Sequence, residues 1–316
     1  MKKKLSFFVV ACVSTTLFAQ SIVSTIASNK NVILEVYTGT NCTYCPDGHR
    51  IADQIMADNP GRAWVIRIHQ GSFAGNNPDY KTDWGNALAN QYGVYSYPDA
   101  TINRGNSLVS RGAWANSSTQ VLAEVSPVNV AARASINRET RELTVLVEAY
   151  YTSNAANPTN KLNVALIQNN VLGPQSGGTT YYPAMMVGDQ YKHLYMLRHL
   201  LTEQWGVEIP ATVSGTFYTE TFSYTLPENI RNVPLCLEDL EIIAFVAEDN
   251  KTILSGCKAK PTFENEPAGL GKMNDNMNIA VAGYYNIMGL KLDKAPEKGL
   301  YIILYDNGKA EKIIKK

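Results

Sequence analysis

The chain lacks several features that would point to particular classes of protein. Its 316 residues carry 28 basic and 28 acidic side chains, and no basic stretch stands out, so nucleic acid is not an expected partner. Beyond the N-terminal segment, no stretch is long and apolar enough for a transmembrane helix. There are only five cysteines and four histidines. The cysteines form only one CxxC pair. A structural zinc site with four ligands usually needs two such pairs, so the sequence argues against one. We therefore expect neither a metal nor a cofactor.

Residues 1–19 are predicted to be a secretion signal. Basic residues at positions 2–4 precede an apolar segment, and Leu17-Phe18-Ala19 is a suitable cleavage site before Gln20. Cys12 also lies in a lipoprotein-like sequence, so lipid attachment there is the alternative. Few apolar residues precede that cysteine, which favours ordinary cleavage. Either process exports the chain to a compartment where disulfides form.

The pair Cys42-Thr43-Tyr44-Cys45 follows a strand-like apolar run and precedes a helix-like stretch that begins at Pro46. A strand, a short loop and CxxC at a helix start are typical of a thioredoxin-type redox site. Only a thiolate attacks a disulfide, and the N-terminal end of a helix can stabilise that thiolate. In such a site Cys42 is the nucleophile, and the two-residue spacing lets Cys45 resolve the mixed disulfide. A purely structural disulfide is the alternative.

Residues 20–126 are predicted to contain further strands and helices in the order of a thioredoxin-like fold, which the chain resembles. The resemblance implies that Pro98 is a cis-proline beside the CxxC. It also implies that Glu35 is a buried proton acceptor for the resolving thiol.

Three further residues are candidates to line the substrate site, namely Tyr44, Tyr97 and His69. Tyr44 lies inside the CxxC, Tyr97 precedes the proline, and His69 ends a predicted strand parallel to the one before the CxxC. Parallel neighbours end at the same sheet edge. For His69, a partly buried structural role is the alternative. His49 is predicted to lie on the surface.

Residues 127–262 show the alternation of apolar and polar residues that predicts short antiparallel strands. Strands are expected at 162–168, 217–225, 241–247 and 252–258, and together they suggest an immunoglobulin-like β-sandwich. An insertion at 171–210 is rich in Tyr, Met and His, and residues 191–199 within it suggest a helix.

The remaining cysteines of the exported chain are Cys236 and Cys257. An exported protein rarely keeps two free thiols, and we therefore predict a structural disulfide between them. In a hairpin of the two last predicted strands, Ile242 would face Cys257. The chain would then have to double back to bring Cys236 within about 7 Å between Cα atoms.

The C-terminal part is predicted to contain a polar linker at 263–280 and a small strand-rich module at 281–316. The sequences Tyr285-Asn286 and Lys298-Gly299-Leu300-Tyr301-Ile302 resemble blocks of the sorting domain of the type IX secretion system. The chain is therefore expected to be an α+β multidomain protein with three folded parts.

Taken together, these features resemble the twenty-eight-kilodalton outer-membrane protein family of the Bacteroidetes, most specifically at residues 37–46 and 97–104. The resemblance implies outer-membrane association, at the surface or in the periplasm. Two functions are open. The first is thiol–disulfide exchange on exported proteins. The second is a non-enzymatic receptor or adhesin role toward a surface ligand.

Overall fold

The structure, a computed structural model, describes residues 21–264, 281–286, 290–296, 298–305 and 310–315. The predicted signal, Cys12 and most of the linker at 263–280 lie outside these residues. The chain divides into two compact units, Met1–Thr262 and Phe263–Lys316. Among the described residues, no helix has the length and apolarity needed to cross a membrane.

The first part of the chain alternates strands and helices. Its elements are β1 (Val32–Thr38), α1 (Cys45–Asp58), β2 (Ala63–His69), α2 (Asp83–Tyr92), β3 (Asp99–Ile102), β4 (Val109–Ser110) and α3 (Trp114–Ala123). β1 and β2 are parallel, and every residue of both strands is buried. Such continuous apolar strands are typical of a sheet that is covered on both faces.

Helix α1 begins at the second cysteine of the CxxC and packs against β1. Pro46 lies in its first turn, where its missing N–H is no loss. Ala52 and Ile55 lie in one apolar cluster with Leu34 and Val36 of β1. The CxxC loop is therefore held between the end of a buried strand and the start of a packed helix.

The rest of this unit is dominated by strands. The strands are β5 (Val128–Ile136), β6 (Glu142–Tyr151), β7 (Asn160–Gln168), β8 (Val171–Gly173), β9 (Met186–Val187), β10 (Gln190–His193), β11 (Met196–Leu200), β12 (Val207–Ile209), β13 (Phe217–Thr225), β14 (Asn229–Ile230), β15 (Val233–Pro234), β16 (Leu240–Glu248), β17 (Lys251–Ala259) and β18 (Thr262–Phe263). One short helix, α4 (Gly178–Tyr181), lies between β8 and β9.

One nine-stranded sheet runs through both predicted domains, in the order β17-β16-β7-β11-β2-β1-β3-β4, with β12 also pairing with β7. Strand β11, from the predicted insertion, pairs antiparallel with β7 and parallel with β2. The backbone N–H of Arg67 donates to the carbonyl oxygen of Tyr195 at 2.8 Å at this junction. The boundary expected at 126/127 therefore does not separate two compact units.

A second sheet has the order β13-β6-β5-β18 and covers part of the first. Strand β5 packs against β16 and β17. Alternate residues of β6 are fully buried, including Leu143, Val145 and Val147. Two sheets therefore face each other as expected for this region, but one of them is shared with the CxxC part.

Two expectations for this part of the chain are wrong. Residues 191–199 are two strands and not a helix, because Tyr191 and His193 alternate with the more exposed Lys192 and both point into the core. Cys236 and Cys257 are both free thiols. The register places Ala244 opposite Cys257, and the chain before β16 does not double back to carry Cys236 to it.

The second unit contains four described strands, which form their own sheet. They are β19 (Val281–Tyr285), β20 (Lys291–Leu292), β21 (Gly299–Tyr305) and β22 (Ala310–Lys315), in the order β20-β19-β21-β22.

Candidate functional site

The CxxC lies on the loop between β1 and α1. Cys42 and Cys45 form a disulfide, with their Cα atoms 5.4 Å apart. Cys42 is 3% exposed and Cys45 is fully buried. The oxidised pair is therefore covered, with Cys42 at the start of the loop and Cys45 in the first turn of the helix.

Pro98 packs against the helix that carries Cys45. The peptide bond between Tyr97 and Pro98 is cis, as the resemblance implied. A Cβ atom on Gly48 would lie 2.8 Å from Cγ of Pro98, so the proline ring approaches the first turn of α1 closely. The chain thus brings Pro98 to the CxxC helix from 50 positions away.

Aromatic side chains surround the loop. Tyr44 is 50% exposed, and its ring centroid lies 5.2 Å from that of Tyr181. The guanidinium of Arg111 lies 5.4 Å from the Tyr44 ring centroid. Tyr97 is half-buried, with its ring centroid 5.3 Å from that of Phe73. Tyr44 therefore presents an exposed ring on the CxxC loop itself, and Tyr97 lies directly before the cis-proline.

Residues 175–181 of the predicted insertion lie on the CxxC loop, and we call them the covering segment. The side-chain amide of Gln175 donates to the carbonyl oxygens of Cys42, at 3.0 Å, and Gly39, at 3.1 Å. The N–H of Ser176 donates to the carbonyl oxygen of Thr40 at 2.8 Å. Gly177 has φ +73°, and a Cβ there would lie 2.1 Å from the Thr43 carbonyl oxygen.

The first turn of α1 carries a charge network. Asp47 accepts hydrogen bonds from Arg50, at 2.8 Å, and Arg111, at 2.9 Å. Partial burial opposes ionisation, but these arginine hydrogen bonds hold the pKa of Asp47 below its ordinary value. Asp47 at the start of α1 is therefore ionised. Arg111 contacts both this carboxylate and the ring of Tyr44.

Glu35 does not face the CxxC. Its neighbours Ile33 and Tyr37 lie in the cluster on the α2 side of the sheet, and side chains alternate along a strand. Glu35 accordingly points away from α1. Its carboxylate accepts hydrogen bonds from Arg104, Nη2 at 2.8 Å and Nε at 3.0 Å, and both residues are 1% exposed. The role implied for Glu35 as proton acceptor is therefore not supported by its position.

His49 lies on the buried face of α1, next to the CxxC. The expectation that it is a surface residue is wrong. It lies one helical turn after Cys45 and is fully buried. Its Nε2 lies 2.9 Å from the hydroxyl of Thr38, and its Nδ1 lies 3.0 Å from the hydroxyl of Tyr191. Burial, together with nearby Arg67, holds the pKa of His49 well below its ordinary value. The imidazole is therefore neutral at pH 7.

Two more histidines continue this buried cluster. His69 ends β2, only 2% exposed, and its ring centroid lies 5.3 Å from that of His193 and 5.2 Å from that of Tyr80. Neither ring nitrogen of His69 has a hydrogen-bond partner. Burial lowers the pKa of His193 to about 3. His69 is thus a buried structural residue and does not line an exposed substrate site.

No group of three or more metal-ligating side chains is formed among the residues that the structure describes. The covering segment was missed from the sequence because nothing local links residues 175–181 to the CxxC. His49 had a detectable signal, since it lies four residues after Cys45 and three before Ala52, on the buried face of α1.

Comparison with known proteins gives a family and a fold. The family model described as outer membrane protein Omp28 matches residues 85–263. HBP35 of Porphyromonas gingivalis is 17% identical, with a TM-score of 0.61, covering 90% of this chain and 98% of its own. At that identity the likeness shows a shared fold only.

Two further structures match less closely. A domain of the outer membrane lipoprotein Omp28 from P. gingivalis is 17% identical, with a TM-score of 0.30 over 44% of this chain and 90% of its own. A protein of Agrobacterium tumefaciens is 11% identical, with a TM-score of 0.45 over 77% of this chain and 99% of its own. No curated protein matches this chain.

Proposed function

We propose that this chain, which belongs to the Omp28 family of outer membrane proteins and is exported to the outer membrane or cell surface, performs thiol–disulfide exchange through a thioredoxin-like unit. The observation that carries the proposal is the placement of the Cys42–Cys45 pair at the start of α1, with cis-Pro98 packed on that helix. Its partners are thiols or disulfides of other exported proteins.

The chemistry follows from the order of the two cysteines. In the reduced protein the thiolate of Cys42 attacks a substrate disulfide, forms a mixed disulfide and expels one substrate thiolate. The thiolate of Cys45 then attacks the sulfur of Cys42, which restores the Cys42–Cys45 bond and releases the second substrate thiolate. Two electrons pass to the substrate, and its thiolates take up the two protons that Cys42 and Cys45 lost.

Access to Cys42 requires movement of the covering segment. Gln175 bonds the carbonyl oxygen of Cys42 itself, and Cys42 is 3% exposed. A protein substrate reaches the sulfur only when residues 175–181 shift. The exposed ring of Tyr44 and the half-buried ring of Tyr97 then border the substrate.

The second candidate is a non-enzymatic surface-binding protein in which the Cys42–Cys45 bond is structural. The burial of both cysteines beneath the covering segment favours this function. In that case the disulfide only ties the β1–α1 loop, and the immunoglobulin-like sheets or the exposed tyrosines bind a surface ligand.

Measurement of the reduction potential of the Cys42–Cys45 pair in glutathione buffers distinguishes the two. A value between about −270 and −120 mV is that of catalytic pairs and supports exchange, whereas a value below about −300 mV is that of structural disulfides and overturns it. Alkylation of the free thiols at each potential, followed by peptide mapping, shows that the thiols being oxidised and reduced are Cys42 and Cys45.

The second unit, Phe263–Lys316, is proposed to be a removable sorting module of type IX secretion. The support is its separate four-stranded sheet and its resemblance to sorting-domain blocks. A chain that ends at Pro261 should be exported but should fail to reach its normal location. Unchanged localisation of that truncated chain would contradict the sorting role.

A further inference from the structure

A cleft of about 660 Å³ lies between the C-terminal end of α2 and the start of β17. Its wall is built from the end of α2, the connection to β3, the first residue of β3, the β3–β4 segment and the first residue of β17. Small-molecule sites usually have volumes of about 300–1,000 Å³. The cleft is therefore large enough for a small organic ligand, and Cys42, Cys45 and Pro98 are not part of its lining.

Most side chains of this wall are polar. Asp99 of β3 pairs directly with Ser110 of β4, and directly opposed residues of two strands share one face of the sheet. The other polar groups of the wall include those of Ser96, Asn106, Ser107 and Lys251. All of these residues except Asp99 are exposed, so hydrogen-bond donors and acceptors are accessible to a ligand from several directions.

Asp99 keeps hydrogen-bonding capacity for a ligand. Its Oδ2 accepts from the hydroxyl of Ser96 at 3.2 Å, and its Oδ1 accepts from the N–H of Ala100 at 3.1 Å. An ionised carboxylate has about four acceptor positions, so each oxygen has room for a further donor. Asp99 is 9% exposed and lines the cleft, which makes it a suitable acceptor for a ligand hydroxyl.

Hydrogen bonds behind the wall hold the cleft in shape. Nε2 of Gln91 donates to the carbonyl oxygen of Asn250 at 2.9 Å, and Nδ2 of Asn250 donates to Oε1 of Gln91 at 3.1 Å. The hydroxyl of Tyr92 and the N–H of Thr252 both donate to the carbonyl oxygen of Arg104, at 3.1 and 3.0 Å. These bonds join α2 and the segment after β3 to β17, so a ligand meets a preformed site and has little ordering cost to offset.

Tyr95 adds an exposed aromatic ring to this polar cleft. The residue is 86% exposed and lines the cleft, and it is the most exposed large hydrophobic residue in the part of the chain that the structure describes. Core packing therefore does not account for it. An aromatic ring offers a flat apolar face, which matches the C–H face of a sugar ring.

The chemistry of the wall selects among ligand classes. An apolar ligand would cover polar groups without giving them partners, which costs free energy. A strongly charged ligand would meet one acid and one base, Asp99 and Lys251. Sugar hydroxyls both donate and accept hydrogen bonds, as the serine and asparagine side chains of the wall also do.

We propose that the cleft binds a neutral oligosaccharide, with one sugar ring stacked on Tyr95 and its hydroxyl groups hydrogen-bonded to Asp99 and Asn106. The site is independent of thiol–disulfide exchange at the CxxC.

The test uses the full-length oxidised protein and an array of neutral oligosaccharides built from hexoses and N-acetylhexosamines. Isothermal titration calorimetry with the oligosaccharide that binds best then gives the Kd. Tyr95→Ala should raise this Kd about ten-fold, because the stacked ring is lost. Tyr95→Trp keeps a flat aromatic face and should retain binding. Asn106→Ala should raise the Kd several-fold, because ligand hydroxyls lose a partner.

The controls separate the cleft from unspecific contact with exposed rings. Phe217→Ala is the matched control, since Phe217 is also an exposed aromatic residue, 47% exposed, but lies on β13 and outside the cleft. Its Kd should equal that of the unchanged protein. Higher salt should leave the Kd unchanged, because the ligand carries no charge to screen. The Tm of Tyr95→Ala should match that of the unchanged protein, since an exposed ring contributes little packing.

Three results overturn the proposal. The first is that no neutral oligosaccharide binds with a Kd below about 10 mM. The second is an equal Kd for Tyr95→Ala and the unchanged protein. The third is binding of anionic oligosaccharides alone, lost at high salt, which assigns the cleft to ionic contacts with Lys251. None of these results depends on the reduction potential of the Cys42–Cys45 pair.

Discussion

Gln175 donates its side-chain amide to the carbonyl oxygen of Cys42 at 3.0 Å, across a separation of 133 residues. The CxxC loop is therefore fixed by a part of the chain outside its own strand and helix. Ser176, Gly177 and Tyr181 add contacts to Thr40, Thr43 and Tyr44. The reactivity of the disulfide should depend on how firmly this covering segment is held.

Substitution of Gly177 tests that dependence. Gly177→Ala should displace the covering segment, because the added Cβ meets the Thr43 carbonyl oxygen and the residue has a positive φ. The Cys42–Cys45 bond should then be reduced several-fold faster by dithiothreitol. Gly188→Ala is the matched control, since Gly188 also has a positive φ, +63°, but no atom within 4 Å of its Cβ position. Equal reduction rates in the two variants would refute a gating role.

The two thiols of the reduced protein should differ in reactivity. Cys42 precedes the helix and is 3% exposed, whereas Cys45 is fully buried in its first turn. We expect alkylation at pH 6 to modify Cys42 first, as measured by peptide mapping after short exposure to iodoacetamide. Equal and slow labelling of both thiols would remove the support for an enzyme.

The buried histidines should make folding sensitive to mild acid. An unfolded histidine binds a proton near pH 6.5, whereas burial holds the pKa values of folded His49, His69 and His193 well lower. The unfolded state then binds more protons, so stability is complete above about pH 6.5 and falls as the pH drops toward about 3. Urea unfolding at a series of pH values measures this slope.

Phenylalanine variants distinguish the roles of His49 and His69. His69→Phe removes ring nitrogens that have no partner, so the free energy of unfolding at pH 7 should be unchanged or higher by up to about 2 kcal/mol, with a shallower pH slope. His49→Phe leaves the hydroxyls of Thr38 and Tyr191 without this partner. The free energy of unfolding at pH 7 should therefore fall by about 1–3 kcal/mol. The reverse order would show that His69 has a polar partner.

Glu35 should matter for stability and not for thiol chemistry. Glu35→Gln leaves the buried guanidinium of Arg104 uncompensated, and loss of one partner of a buried ion pair costs about 3–5 kcal/mol. The pH profile of Cys42 and Cys45 alkylation should stay unchanged. The double variant Glu35→Gln/Arg104→Met should recover part of the lost stability. A shifted alkylation profile would restore Glu35 as a proton acceptor.

Local patterns predicted the strands and the CxxC helix well. The strand expected at 217–225 is β13, in which burial alternates from residue to residue. The strand expected at 162–168 is part of β7, which is an almost continuous buried run. The cis bond before Pro98 followed from a family resemblance.

Local sequence patterns did not predict which strands pair with each other or which side chains meet across the fold. Tyr191 and His193 fit either a short helix or a strand when taken alone, and only the pairing of β10 with β8 and β9 decides between them. The role implied for Glu35 could not be checked from the sequence, because the side of β1 that faces α1 depends on how the strand packs between the two helices. The predicted disulfide between Cys236 and Cys257 required the chain to double back before β16, and both thiols are free in the structure.

Strand β11 lies between β2 and β7. During export, β2 can therefore pair on this side only after β11 has emerged. The N-terminus crosses the membrane first, so β2 and the CxxC helix emerge well before Met196–Leu200 arrives to pair with them. Until then β2 has an open edge with unpaired N–H and C=O groups, which is the kind of surface that associates wrongly with other chains. The sheet beside the CxxC helix is therefore completed only after residue 200 has emerged.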